Sequence, residues 1–182
     1  MRRQIVPEND ISSKEPDSNH AAFGPAEQGE ASVTRLSELI AAQPFFQGLS
    51  FSQLASMTEC AREQHFKAGE SIFKEGDPAN RFYLIVEGKV ALEIESREDG
   101  LIPIRTLQAG DDLGWSWLFP PYYLHFGART LEPTKVISFY GTRLRKRCDE
   151  DHDLGYELLK RVAKVVIDRL DAVRSQLSSE SR

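Results

Sequence analysis

The stretch GDDLGWSWLFPPYYLHFGARTLEPT, residues 110–134, is the most informative part of this chain. Gly110 and Gly114 frame a short acidic turn, and a cluster of aromatic residues follows it. Glycine adopts backbone angles that other residues avoid, so these positions predict tight turns. The stretch therefore predicts a tight turn that is followed by an aromatic segment.

Similar glycine-punctuated segments precede this stretch. They are GESIFKEGD at residues 69–77, FYLIVEGKV at residues 82–90 and LQAGD at residues 107–111. With residues 110–134 they resemble the cyclic-nucleotide-binding domain of the catabolite-activator and fumarate-nitrate regulator superfamily, over roughly residues 45–177. The resemblance implies an α+β fold, in which an antiparallel β jelly-roll barrel carries N-terminal helices and a long C-terminal helix.

The residues that hold the nucleotide in that family are replaced here. The family places a carboxylate for the ribose hydroxyl one residue past the second glycine, and an Arg for the phosphate on the next strand. Trp115 and Leu124 occupy these positions. Because charge-assisted contacts are lost, the sequence predicts weak or no binding of cAMP. The ligand expected is a cyclic nucleotide (cAMP or cGMP) or another planar or anionic small molecule. The candidate ligand-binding residues are Gly114, Trp115, Ser116, Trp117, His125, Phe126, Arg129 and Arg169.

Several of these side chains have a second interpretation. Trp115 either stacks on a planar ligand or, with Trp117, fills the cavity of the ribose. His125 and Arg129 either replace the missing cation or lie at the edge of the core, and on an extended strand they share a face because they are four residues apart. Arg169 interrupts an apolar stripe of the last helix, near where the helix of this family meets the base.

The rest of the chain divides into four parts. Residues 1–32 lack periodic apolar residues and predict a disordered tail. Residues 33–62 predict N-terminal helices, one running to Pro44 and one over 51–60 capped by Ser50. Residues 63–140 alternate with period two and predict the barrel, with the phosphate-binding cassette at 110–130. Val90, Leu92 and Ile94 alternate with polar residues as in a half-buried strand, and residues 136–140 alternate in a last strand. Residues 141–177 predict a short helix capped by Thr142 and a long one capped by Asp153.

The last predicted helix has two apolar stripes. The first, Leu154, Leu158, Val162 and Val165, is confined to the N-terminal half and predicts contact with the barrel. The second, which we call the seam stripe, has heptad spacing along the whole helix and predicts a homodimer through a parallel coiled coil. The alternative is a single helix that wraps the barrel. The seam stripe consists of Tyr156, Leu159, Ala163, Val166, Leu170, Val173 and Leu177.

Composition limits the function further. The net charge of −5 argues against broad nucleic-acid binding, and the basic run at residues 143–147 is followed directly by acidic residues. No nucleophile–base motif, metal-ligand spacing or membrane span is present in the sequence, so we expect neither an enzyme nor a membrane protein. Two cysteines without paired spacing indicate a cytoplasmic setting.

Three functional hypotheses follow. The first is a regulatory or sensor module that acts on an unknown effector protein. The second is a ligand-free interaction and dimerisation module. The third, a transcription regulator, is the least favoured, because too few residues follow position 177 for a helix-turn-helix domain, and no direct DNA binding is expected.

Overall fold

The computed structural model describes residues 30–96, 98 and 100–180, with the backbone alone at 30–32, 172–173 and 175–180. In this described part, four α-helices flank the strands, two before and two after them, and a 3₁₀ helix at Pro44–Phe46 follows the first of them. The helices are α1 Glu30–Ala41, α2 Phe51–Glu59, α3 Gly141–Glu150 and α4 His152–Glu180. Within the described residues, no helix is long and apolar enough to cross a bilayer.

Eight strands lie between α2 and α3. They are β1 Ala61–Phe66, β2 Ser71–Phe73, β3 Arg81–Glu87, β4 Lys89–Ser96, β5 Gly100–Gln108, β6 Asp112–Leu113, β7 Gly127–Thr130 and β8 Thr134–Tyr140. They form two antiparallel four-stranded sheets in the orders β1-β8-β3-β6 and β2-β7-β4-β5. This arrangement confirms the predicted α+β class with a jelly-roll topology.

The sheet that contains β3 and β8 separates two apolar cores. Because successive side chains of a strand point to opposite faces, each strand contributes to both cores. Phe82, Leu84 and Phe139 face the helices, in a cluster that also contains Leu154 and Leu158 of α4. The alternate side chains of the same strands face the other sheet and fill the barrel; they include Tyr83, Ile85 and Val136. The predicted alternation of β8 is therefore real, but both of its faces are buried.

The second sheet, which contains β4 and β7, also has a buried charged residue on its outer face. Val90 and Leu92 of β4 point into the barrel, as their spacing predicted. Glu93, on the opposite face, is only 7% exposed. Its carboxylate lies 3.1 Å from the guanidinium of Arg129 on β7, which covers it. Strand β4, whose sequence pattern is that of a half-buried strand, therefore carries a shielded ion pair on its outer face.

The helix boundaries confirm one predicted cap and correct several others. Ser50 caps α2, and its hydroxyl and the Gln53 side chain form a reciprocal capping box. Helix α1 already begins at Glu30, so the predicted start of ordered structure near Val33 was three residues late. The predicted tail otherwise covers residues 1–29, which lie outside the described residues. Phe45 and Phe46 belong to the separate 3₁₀ helix, because Pro44 starts a new turn.

The two predicted caps of the C-terminal helices were wrong. Thr142 lies inside α3, whose N-cap is Tyr140 without a side-chain hydrogen bond. Asp153 lies in the first turn of α4. The carboxylate that caps α4 is that of Asp151, which accepts a hydrogen bond from the Leu154 N–H at 3.0 Å. Four of the five residues at 149–153 are acidic, so the local composition does not single out Asp151 as the cap.

Candidate functional site

The cassette begins as the glycine pattern predicts. Strand β6 ends at Leu113, and Gly114 has a φ of 81°. A Cβ atom at this position would lie 2.9 Å from the carbonyl oxygen of Arg81, so both the backbone angle and the space require glycine. A 3₁₀ helix, Trp115–Leu118, follows directly. The turn therefore brings the Trp115 segment next to strand β3.

A small pocket lies between this segment and the barrel. Its volume is about 10 Å³, about what one water molecule needs. Six of the eight predicted site residues line it, and Trp117 and Arg129 do not. The lining residues are Phe73, Leu92, Gly114, Trp115, Ser116, Leu124, His125, Phe126 and Arg169. The fold thus brings together residues from the barrel, the cassette and α4 at one place.

The two tryptophans have different environments. Trp115 lines the pocket, where its ring centroid lies 6.2 Å from that of His125 and 6.3 Å from that of Phe119. Trp117 is 1% exposed and packs in the helix-side core, 6.3 Å from the Phe82 ring. Its indole nitrogen has no hydrogen-bond partner among the described residues. Trp117 is therefore placed in the core rather than at the pocket surface.

The position of the phosphate-binding Arg is occupied by a packed apolar residue. Leu124 is 6% exposed and belongs to the barrel core. Its backbone is fixed on both sides, because its N–H donates to Asp77 O at 2.9 Å and its C=O accepts from the Gly76 N–H at 2.8 Å. An anion near Leu124 would have an apolar surface as its neighbour, which is unfavourable without a paired cation.

A cation reaches the pocket from another element. Arg169 of α4 lines the pocket, with 19% of its side chain exposed. Its Nη2 donates to the carbonyl oxygen of Asp112 at 2.6 Å and lies 3.5 Å from the Asp112 carboxylate oxygen Oδ2. These contacts hold the guanidinium and connect the last helix to strand β6, just before the cassette turn.

Asp112 is the unusual partner in this pair. Its side chain is 8% exposed, and Oδ2 accepts no hydrogen bond from any described residue. Burial raises the pKa of Asp112 to about 6, since the desolvation of the carboxylate outweighs the attraction of Arg169. Burial also lowers the pKa of Arg169, against the opposing effect of Asp112. At neutral pH the pocket therefore borders on an imperfectly paired buried carboxylate.

Arg129 does not reach the pocket, contrary to the face predicted for it. Strand β7 begins only at Gly127, so His125 and Arg129 do not lie on one extended strand. The Arg129 guanidinium donates to the carbonyl oxygen of Gly69 at 3.1 Å and pairs with Glu93. His125 remains at the pocket, next to Trp115. The prediction of a shared face was wrong because it assumed one unbroken strand from His125 to Arg129.

Sequence reasoning missed Asp112 altogether. No local pattern distinguishes Asp112 from Asp111, whose carboxylate accepts a hydrogen bond from the Gln108 N–H at 2.8 Å in the preceding turn. Asp112 matters because α4 returns to it from 57 residues further along the chain. Within the described ranges, no group of three or more His, Cys, Asp or Glu side chains could hold a metal ion.

Comparison with known families agrees with this fold. The model of the cyclic nucleotide-binding domain family matches residues 63–151. The chain is 27% identical over 130 residues to a CRP-like cAMP-activated global transcriptional regulator of Mycobacterium tuberculosis. That match covers 71% of this chain and 58% of the relative, so the chain spans little more than half of the relative's length.

Solved structures give a wider match. A candidate cyclic nucleotide-binding protein from Geobacter metallireducens GS-15 is 32% identical, and the match covers 76% of this chain and 98% of that one with a TM-score of 0.66. A cyclic nucleotide-binding domain from Methylobacillus flagellatus KT is 16% identical and shares the fold, with a TM-score of 0.68 over 82% of this chain and 84% of its own.

Proposed function

The chain belongs to the cyclic nucleotide-binding domain family, and we propose that it is a regulatory sensor module with a modified pocket. In this proposal the pocket takes a planar or anionic small molecule, and it binds cAMP or cGMP weakly or not at all. The module has no catalytic role and acts in the cytoplasm on an effector protein. The regulator of Mycobacterium tuberculosis described above supports a signalling role of this kind.

The observation that carries this proposal is the pair of replacements at Trp115 and Leu124. Both side chains line the pocket, where the family has a ribose carboxylate and a phosphate Arg. A volume of about 10 Å³ is far below the roughly 300–1,000 Å³ of ligand pockets, so lining side chains would have to move before a nucleotide could enter. Two missing charged contacts weaken affinity by a factor on the order of 100 to 10,000.

Calorimetry with cAMP and cGMP tests this proposal. The wild-type protein should bind neither at micromolar concentration. The double variant with Trp115→Glu and Leu124→Arg restores the family's two charged groups and should bind cAMP at least 100-fold more tightly than the wild type (on the order of the two contacts restored).

A matched control introduces the same residue types outside the pocket. Phe51 and Leu131 are 88% and 51% exposed, and neither lines the pocket. The variant with Phe51→Glu and Leu131→Arg should therefore bind like the wild type. Micromolar binding of cAMP by the wild-type protein would overturn the proposal.

A second function, dimerisation through α4, is favoured by the exposed seam stripe. Its described large side chains are 38–66% exposed: Tyr156, Leu159, Val166 and Leu170. The side chains of Val173 and Leu177 lie outside the described part. Apolar residues at heptad spacing on an exposed helix face favour pairing with a second copy. The small pocket also favours the alternative of a ligand-free interaction and dimerisation module.

A further inference from the structure

The Arg169–Asp112 pair determines what an incoming ligand meets. Among the described lining residues, Arg169 is the only Arg or Lys. Nη2 of its guanidinium is already engaged by Asp112, through the carbonyl oxygen at 2.6 Å and Oδ2 at 3.5 Å. An anionic ligand that binds at this nitrogen would have to share or exchange these contacts, since one guanidinium nitrogen has at most two N–H donors.

We propose that Asp112 is an internal competitor of the ligand: an anionic group binds Arg169 in exchange for the Asp112 carboxylate, and protonation of Asp112 strengthens that binding. This inference rests on the proposed function and adds its regulation. A charged carboxylate and an anionic ligand on the same guanidinium repel each other in a buried site, and the neutral acid removes this repulsion.

The charged groups around the pair permit this exchange. Arg169 approaches Asp112 from α4, while Asp111 in the adjoining turn and Arg105 on β5 act on both partners from further away. The raised pKa of Asp112, about 6, places its protonation just below neutral pH. Ligand binding would thus respond to pH between about 5 and 7.5, and Asp112→Asn would imitate the protonated state at every pH.

The test is a cAMP titration of the full chain at pH 7.5 and pH 5, with adenosine as a neutral probe of the same base and ribose. At pH 7.5, Asp112→Asn should bind cAMP on the order of 10-fold more tightly than the wild type, and at pH 5 the two should agree. Adenosine affinity should not change, because adenosine carries no anionic group. Arg169→Gln should abolish the difference between the two pH values.

His125 also lines the pocket and is a second possible source of pH dependence. The variant His125→Gln should therefore keep the pH dependence of the wild type. Equal cAMP affinities of wild type and Asp112→Asn at pH 7.5 would overturn the inference, as would a pH dependence that His125→Gln removes and Asp112→Asn retains.

The outcomes also separate this inference from the proposed function. If neither the wild type nor Asp112→Asn binds cAMP at either pH, the inference fails and the proposed function stands. If the wild type binds at micromolar concentration at pH 7.5 and Asp112→Asn binds 10-fold more tightly, the proposed function fails and the inference stands. The pH dependence of the wild type is measured without any substitution, so it remains a test even if one variant does not fold.

Discussion

The two halves of α4 are attached to the protein in different ways. The first half is fixed by buried apolar side chains, since Leu154, Leu158 and Val162 are each 1% exposed. It is also fixed by Arg161, whose guanidinium donates to the carbonyl oxygens of Phe45 and Gln47 at 2.7 and 2.8 Å.

The second half has a different surface. Among the described residues of α4, no buried apolar side chain follows Val162. Arg169 supplies a polar contact with the cassette, and the seam stripe is exposed beside it. The comparison indicates that the first half belongs to the folded core, whereas the second half contacts the cassette through Arg169 and exposes apolar side chains.

The largest expected effect comes from the first half. Replacing Leu158 by Ala should lower the free energy of unfolding by about 2–5 kcal/mol, because it leaves a cavity in the helix-side core. Leu170→Ala, in the second half, should change it by less than about 0.5 kcal/mol, since Leu170 is 66% exposed. Urea unfolding of dilute, monomeric protein measures both values. Equal losses in the two variants would remove the distinction between the halves.

The next effect concerns the contact that the second half makes with the cassette. Burial raises the pKa of Asp112 from 3.8 to about 6, so the folded state holds its proton more tightly than the unfolded state does. The stability from this group is complete below the unfolded pKa and is lost as the pH rises through about 6. Between pH 4 and pH 7, the free energy of unfolding of the wild type should fall by about 2 kcal/mol relative to Asp112→Asn.

A surface carboxylate provides the control for this profile. Asp168 lies on α4 and pairs with Lys164 at 3.0 Å, and its side chain is 58% exposed. Unfolding of Asp168→Asn should follow the pH profile of the wild type. The free energies of unfolding of the wild type and of Asp112→Asn could instead change in parallel between pH 4 and pH 7. That result would show that folding does not stabilise the protonated form of the Asp112 carboxyl group.

Much of the fold could be predicted because its signals are local. The glycine at position 114, the cap at Ser50 and the alternation of Val90 and Leu92 each depend on a few neighbouring residues and on backbone geometry. The cap of α4 could not be chosen among neighbouring acidic residues, because each of them can accept the same hydrogen bond.

The candidate site was less predictable, because its central contact joins distant residues. Trp115 and Leu124 were identified from their positions in the cassette, whereas Asp112 was not. Arg169 was proposed only from its place on the helix, and its partner lies 57 residues earlier. The shared face predicted for His125 and Arg129 was wrong, because the start of β7 depends on pairing with β2 and β4, which spacing alone does not reveal.

The smallest expected effect on stability, with the largest effect on assembly, comes from the exposed seam stripe. Replacing Val166 and Leu170 together by Glu should change the free energy of unfolding of the monomer by about 0.5 kcal/mol or less, because both side chains are exposed in the monomer. In a parallel dimer the same change would bring four carboxylates together at the seam, and buried like charges oppose pairing strongly. The wild type should therefore be dimeric and the double variant monomeric in light scattering.

Lys164→Glu changes the net charge by the same −2, and Lys164 lies outside the seam stripe with 75% of its side chain exposed. This control should remain dimeric, since it alters the charge of the helix without placing a carboxylate in the seam. A wild type that stays monomeric at high concentration would exclude the seam, and a monomeric Lys164→Glu variant would assign the effect to net charge instead.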